Sequence, residues 1–446
     1  MLAAAITRLV GWAVALFLDV ERDGPEIAGG PLLVAANHPN ALVDPLVIFH
    51  TAGRVTRPLA KAPLFEQALV GTVLKGLGGL PVYRKQDDPT QMHRNQRTFE
   101  AAIEALTEGG AVQIYPEGQS HSEPSLGPLR TGAARIALRA ESESGWRLGL
   151  RIQPVGLTYR RKHLFRGSVV ATYGDSFPVS DFRARFEHDE RACVEELTEE
   201  IARRLRRLTL NFETEEEAEL VDAAERLYAR AKGLVRPRER EPLAARIPRL
   251  QRFADGLRRL RADDPARLAR LGADVSRYMR LLTLYGASAG DVPDRYRLGS
   301  VLRYTAWQAF MLAVVLPAAL VGMAYWFLPG LATRLIAGRF RPKLDQIATY
   351  KVGVAIGAFP LWLAATCMAV WAAAGVGWAV AVGVVLPVSG VAAIAWRERQ
   401  AVVREDVRVF LRSRRRSERR DRLAELRTEI VAEIDRIADL QRPDRA

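Results

Sequence analysis

Cysteine is nearly missing from this 446-residue chain: Cys193 and Cys367 are too few for a disulfide framework or a cysteine-built zinc site. The six histidines, at positions 38, 50, 93, 121, 163 and 188, never form a His-Glu-x-x-His pattern, so no structural metal is expected. Acidic residues are in deficit, 51 against 65 Lys plus Arg, and the resulting net charge of +14 calls for an anionic partner. The cations do not interleave with aromatic residues in a nucleic-acid-binding pattern. They flank long apolar segments instead, which points to anionic lipid headgroups.

Charge is absent from residues 352 to 396, and this is the clearest physical statement in the sequence. Apolar stretches at roughly 306 to 330, 352 to 374 and 376 to 396 approach or exceed the length of a bilayer-crossing helix, and glycines at 375 and 377 suit a helical hairpin. Basic residues lie on both sides of the first stretch, so charge bias alone does not orient three spans. An interfacial or re-entrant first stretch would leave every basic segment on one side. A transporter is disfavoured, since the last two stretches offer no internal charge for a substrate path.

What is present for chemistry sits at the ends of apolar, strand-like runs. Asn37-His38-Pro39-Asn40-Ala41-Leu42-Val43-Asp44-Pro45 places a histidine and a carboxylate on one stiff loop, the pairing expected of a general base and the group that orients it. Residues 111 to 115 run into Pro116-Glu117-Gly118-Gln119-Ser120-His121. Leu80-Pro81-Val82-Tyr83 ends on Arg84, whose guanidinium suits a phosphate. A fourth run, 152 to 159, is followed by Arg160, Arg161 and Lys162.

The order and content of these four blocks resemble the glycerolipid acyltransferase superfamily over roughly residues 15 to 210. The first block is similar to its Asn-His-x4-Asp motif, Gly79 to Arg84 to its Gly-x-x-x-x-Arg motif, and Glu117-Gly118 to its Pro-Glu-Gly motif. Here His38 and Asp44 are separated by five residues, and Gln119-Ser120-His121 stands where Thr-Arg-Ser is usual. Both departures resemble the yeast-type branch that acylates glycerol 3-phosphate or dihydroxyacetone phosphate.

The resemblance implies a fatty-acyl transfer from coenzyme A or acyl carrier protein as co-substrate, with no bound cofactor. His38 would be the base and Asp44 its partner. Lys61, Arg84, Glu117, Gly118, Ser120, His121 and Arg130 would line the acceptor site, and His121 is the rival candidate for the base. Rival functions are acylation of 1-acylglycerol 3-phosphate (lysophosphatidate) and a non-catalytic lipid-binding scaffold.

The expected organisation is an α/β acyltransferase domain followed by a helical region and C-terminal transmembrane helices. Residues 1–24 read as a membrane-interface helix and 25–211 as the catalytic domain, with strands near 31 to 36, 79 to 83, 111 to 115, 151 to 158 and 168 to 174. Helical periodicity covers 91 to 108, 131 to 139 and the stretch from Val194. Residues 212–300 form a charged helical region broken at prolines, 301–396 the membrane region, and 397–446 a basic tail with Leu423, Leu426, Ile430, Ile434 and Ile437 on one stripe. That tail is expected to be a solvated helix near acidic lipid. The whole is expected to be an integral membrane protein with its catalytic domain facing the cytoplasm.

Overall fold

A computed structural model describes residues 11, 14–83, 95–162, 164–235, 241–285, 298–340, 346–415 and 417–440. By packing, the chain divides into two units, one holding residues up to Thr214 with Pro242–Ile247 and Ile336–Ile356, the other the remainder.

The first unit is built on an eight-stranded sheet: β1 (Leu18–Asp23), β2 (Leu32–Ala36), β3 (Thr56–Lys61), β4 (Leu80–Val82), β5 (Ala111–Ile114), β6 (Arg151–Arg160), β7 (Gly167–Tyr173) and β8 (Phe177–Pro178). Their order is β1-β7-β6-β2-β5-β3-β4, with β8 pairing β6. Strands β2 to β6 run parallel, whereas β7 turns back antiparallel on β6 and carries β1 parallel to itself. Because β2 lies in the middle, all five of its residues are buried. Alternation then sends Leu33 and Ala35 into one core, with helices α3 (Asn95–Thr107), α4 (Gly132–Glu143) and α6 (Glu190–Leu208). Leu32, Val34 and Ala36 enter the other, with α1 (Val43–Thr51). Helices α2 (Ala68–Gly76) and α5 (Arg183–His188) complete the layers.

The helix expected over 1–24 cannot reach its end, because Leu18–Asp23 is a strand paired with β7. Its sequence, Leu-Asp-Val-Glu-Arg-Asp, suits an edge strand, where charge faces outward. Among the described residues before it, 11 and 14–17 are helical, with Val14 and Phe17 in the protein core. Glu21 accepts the Leu243 and Ala244 amides at 2.8 and 2.7 Å, a carboxylate placed on the first turn of α8 (Leu243–Asp263). The first unit therefore extends beyond residue 211 to include Pro242–Ile247 and Ile336–Ile356.

The second unit corrects the reading of the tail. Leu423, Leu426 and Ile430 of α13 (Ser417–Leu440) are buried against Leu227 of α7 (Glu215–Ala231) and against Val275, Tyr278 and Leu282 of α9 (Pro265–Tyr285). The bundle is cross-linked by Arg267 to Glu433 at 2.5 Å and by Lys232 and Tyr228 to Asp435 at 2.7 and 2.9 Å. The stripe is thus a packing face of the chain's own bundle. Pro248 does not break α8 but lies within it.

Three helices carry the apolar stretches: α10 (Leu298–Arg339), α11 (Ile347–Ala374) and α12 (Val376–Arg415). Each contains a segment long and apolar enough to cross a membrane. Phe327, Leu361, Trp371 and Trp378 stand exposed on them, surface that water does not tolerate in such density. The full chain should accordingly sediment with membranes and resist extraction by high salt or alkali. Recovery in the soluble fraction without detergent would contradict it.

Candidate active site

The two motif loops meet because of strand register. In the parallel pair β2 and β5, Ala35 lies opposite Ile114. Three residues further on, His38 and Glu117 leave the same edge of the sheet side by side, and the His38 amide donates to Glu117 Oε1 at 2.8 Å. The His121 amide donates to the His38 carbonyl at 3.2 Å. Asn37 clamps the loop to β6, donating to the Leu157 carbonyl at 3.0 Å and accepting its amide at 2.6 Å. The carboxyl edge of a parallel sheet is where α/β folds place their chemistry.

His38 Nδ1 lies 2.8 Å from Asp44 Oδ2, and Asp44 is wholly buried in the first turn of α1. The same oxygen accepts the Asn40 amide at 2.7 Å, and Oδ1 accepts the Tyr159 hydroxyl at 2.7 Å. Three donors, together with the positive end of a helix, satisfy the oxygens of a side chain that lies wholly in the core. Burial, reinforced by the negative charge of Asp44, pushes the Tyr159 phenol well above its usual range and keeps it an O–H donor. The Asp44 bond fixes the tautomer of His38 and leaves Nε2 as the nitrogen able to take a proton. Tyr115, stacked on the imidazole at 4.2 Å between ring centres, sets the plane of the ring.

Glu117 is also buried, and its oxygens are occupied by the protein itself. Oε1 accepts His38 N, whereas Oε2 accepts Gly127 N at 2.7 Å and the His121 ring through Nε2. Burial alone would raise this carboxyl, but the bonds from His121, Gly127 and His38 hold it below the usual value. The hydrogen bond to Glu117 in turn raises His121 above an ordinary histidine, offsetting its own burial. His121 Nδ1 is buried without a protein partner.

Gly118 adopts φ of +73°, and a Cβ there would stand 2.7 Å from the Arg130 side chain. Glycine at this position thus permits both the turn and the close passage of Arg130, whose amide donates to the Pro116 carbonyl at 2.7 Å. Ser120 is half-buried on the same loop. Lys61 ends β3, two strands from β2. Arg84 lies outside the described residues.

Sequence reasoning missed Tyr159, Tyr115, Gly127 and Lys162, whose ammonium donates to the Pro39 carbonyl at 2.9 Å and Ser122 Oγ at 3.0 Å. Only the charge of Lys162 gave any prior signal. The others act through register and stacking that no local spacing reveals.

Residues 19–158, which include the His38 and Glu117 loops of this site, match the Acyltransferase family. That stretch is therefore similar to an acyltransferase domain, in keeping with the resemblance of the four motif blocks. Glycerol-3-phosphate O-acyltransferase 2 of Saccharomyces cerevisiae is 31% identical to the chain over 193 residues, 43% of this chain and 25% of that protein. Glycerol-3-phosphate O-acyltransferase 1 of the same organism is 26% identical over 68% of this chain and 39% of its own length. An uncharacterized acyltransferase of Schizosaccharomyces pombe is 23% identical over 77% of this chain and 63% of its own. The chain therefore spans less than two thirds of each of these relatives, and for the budding-yeast pair well under half. The crystal structure of a 1-acyl-sn-glycerophosphate acyltransferase from Thermotoga maritima aligns with 44% of this chain and 77% of its own, at 20% identity and a TM-score of 0.33.

Proposed function

We propose that the chain is a membrane-bound O-acyltransferase that moves a fatty acyl group from a thioester of coenzyme A or acyl carrier protein to the hydroxyl of glycerol 3-phosphate. The observation that carries this reading is the His38 to Asp44 pair, with Nδ1 engaged at 2.8 Å and Nε2 left as the basic nitrogen. Nε2 takes the acceptor's hydroxyl proton as that oxygen bonds to the thioester carbonyl. Asp44 stabilises the imidazolium. When the C–S bond breaks, the same proton passes to the departing thiolate, so no covalent acyl-enzyme is needed.

Cationic groups near the loop serve the acceptor's phosphate in this reading. Arg130 and Lys61 are candidates, as is Arg84 by its place in the sequence motif. His121, favoured as an imidazolium by Glu117, and Ser120 offer further donors to the phosphate or to the developing oxyanion. Glu117 acts as a positioning residue, since it holds the backbone of His38, the ring of His121 and Gly127 together. The catalytic domain faces the cytoplasm, the side favoured for an arginine-rich segment such as that between Arg412 and Arg422.

Purified full-length protein in detergent, given one labelled acyl thioester and equal amounts of glycerol 3-phosphate, dihydroxyacetone phosphate and lysophosphatidate, tests the assignment. Acyl-glycerol 3-phosphate is the expected main product. Phosphatidate formed solely from lysophosphatidate would overturn the acceptor while leaving the chemistry intact, and no transfer to any acceptor would favour a lipid-binding scaffold.

A further inference from the structure

The loop from His38 to Asp44 contains a residue in an unfavourable backbone state. Ala41 adopts φ of +39°, a left-handed conformation that non-glycine residues rarely hold unless their neighbours enforce it. On its amino side, Glu117 holds the His38 amide, Lys162 the Pro39 carbonyl and Asp44 the Asn40 amide. On its carboxyl side, the Val43 and Asp44 amides turn back to the carbonyls of Asn40 and Ala41 to start α1. Between them the Leu42 amide has a partner from far along the chain, Thr349 Oγ1 at 3.1 Å.

Thr349 lies in the first turn of α11, the helix that continues into one of the membrane-crossing candidates. That end of α11 is firmly set: Ala348 is fully buried and Val352 nearly so, in the same core as Val43, Leu46 and Val47 of α1. The residue is 307 positions from Leu42 and outside the matched acyltransferase domain.

We propose that Thr349 is a positioning residue for the reaction: through the Leu42 amide it fixes the strained loop that sets His38 against Asp44, so that α11 serves as part of the catalytic scaffold as well as a membrane segment. Without its hydroxyl, the Leu42 amide loses its acceptor, and Ala41 is free to relax toward an ordinary conformation. His38 would then spend less time in the bonded geometry, which lowers turnover without removing any group that touches substrate. The inference rests on the acyl-transfer reading above.

The test compares Thr349→Val, which keeps the shape but removes the acceptor, with Thr349→Ser, which keeps it. Full-length proteins are purified in detergent. Turnover with glycerol 3-phosphate and hydrogen exchange of the peptide covering residues 38 to 46 are measured for each. The expected result is roughly a tenfold fall in kcat with unchanged KM for Thr349→Val, faster exchange in that peptide alone, and recovery of both in Thr349→Ser. Faster exchange with undiminished kcat would show a purely structural contact, and unchanged exchange would show no contact at all; either overturns the proposal. Equal loss in Val and Ser would overturn it too. Failure of the acyl-transfer reading is separate, because there the wild-type protein transfers to no acceptor.

Discussion

Replacing His38 with alanine should abolish acyl transfer while leaving a folded, membrane-bound protein. The imidazole is partly exposed and packs on Tyr115 on one side, so its loss removes little core. What goes is the proposed base, a contribution of about 10² to 10⁴ in rate. Asp44→Asn should approach the same loss by another route. The amide is nearly isosteric, and its oxygen can still accept from His38 Nδ1 and the Asn40 amide while its nitrogen faces the Tyr159 hydroxyl, which can turn to accept. The geometry survives and the negative charge does not, so the imidazolium formed during reaction is left unsupported. Turnover and thermal unfolding of both variants in detergent make the check. Near-normal turnover in His38→Ala, with loss in His121→Ala, would move the base to the second loop.

Glu117→Gln should damage both stability and turnover. Donors crowd this side chain from both sides, so one end of the glutamine amide must present N–H groups to N–H groups, and the raised His121 loses its counter-charge. Breaking a buried pair in this way costs about 3–5 kcal/mol. The pH dependence has a definite sign. Glu117 lies below its ordinary 4.5, so its contribution is present above that value and fades as pH falls through the depressed one. His121 lies above its ordinary 6.5, so its contribution is complete below that value and is lost as pH rises through the raised one. The stability gap between wild type and Glu117→Gln should therefore be widest from mildly acidic to neutral pH and narrow in alkali. A gap that stays constant from pH 6 to 9 would refute the ionic pairing.

The parts of the fold that could be read from sequence are those whose signal is local. Strands β2, β5 and β6 are apolar runs ending in polar loops, and the reactive residues of two of them were visible because each run stops where a motif begins. Strand β1 was not visible: Leu18–Asp23 reads as the end of a helix until β7, about 150 residues later, supplies a partner. Strand β3, Thr-Arg-Pro-Leu-Ala-Lys, hides for the same reason. In the site, His38 and Asp44 could be paired by spacing alone. The Tyr159 bond to Asp44 depends on where β6 stops relative to β2, and the Glu117 to Gly127 bond on a loop closing over ten residues. In the tail, the apolar stripe was legible, but a stripe does not name what it packs against.

The packing of α13 constrains the passage of the chain through the bilayer. Helix α9 ends before the three apolar helices and α13 begins after them, yet Leu423, Leu426 and Ile430 are buried on Val275, Tyr278 and Leu282. Two helices that share a core must stand in the same aqueous compartment. The polypeptide between Tyr285 and Ser417 therefore has to come back to the face it left, which only an even number of passages achieves. Of the three described helices long enough to cross, at least one therefore enters and leaves by the same leaflet or lies along it.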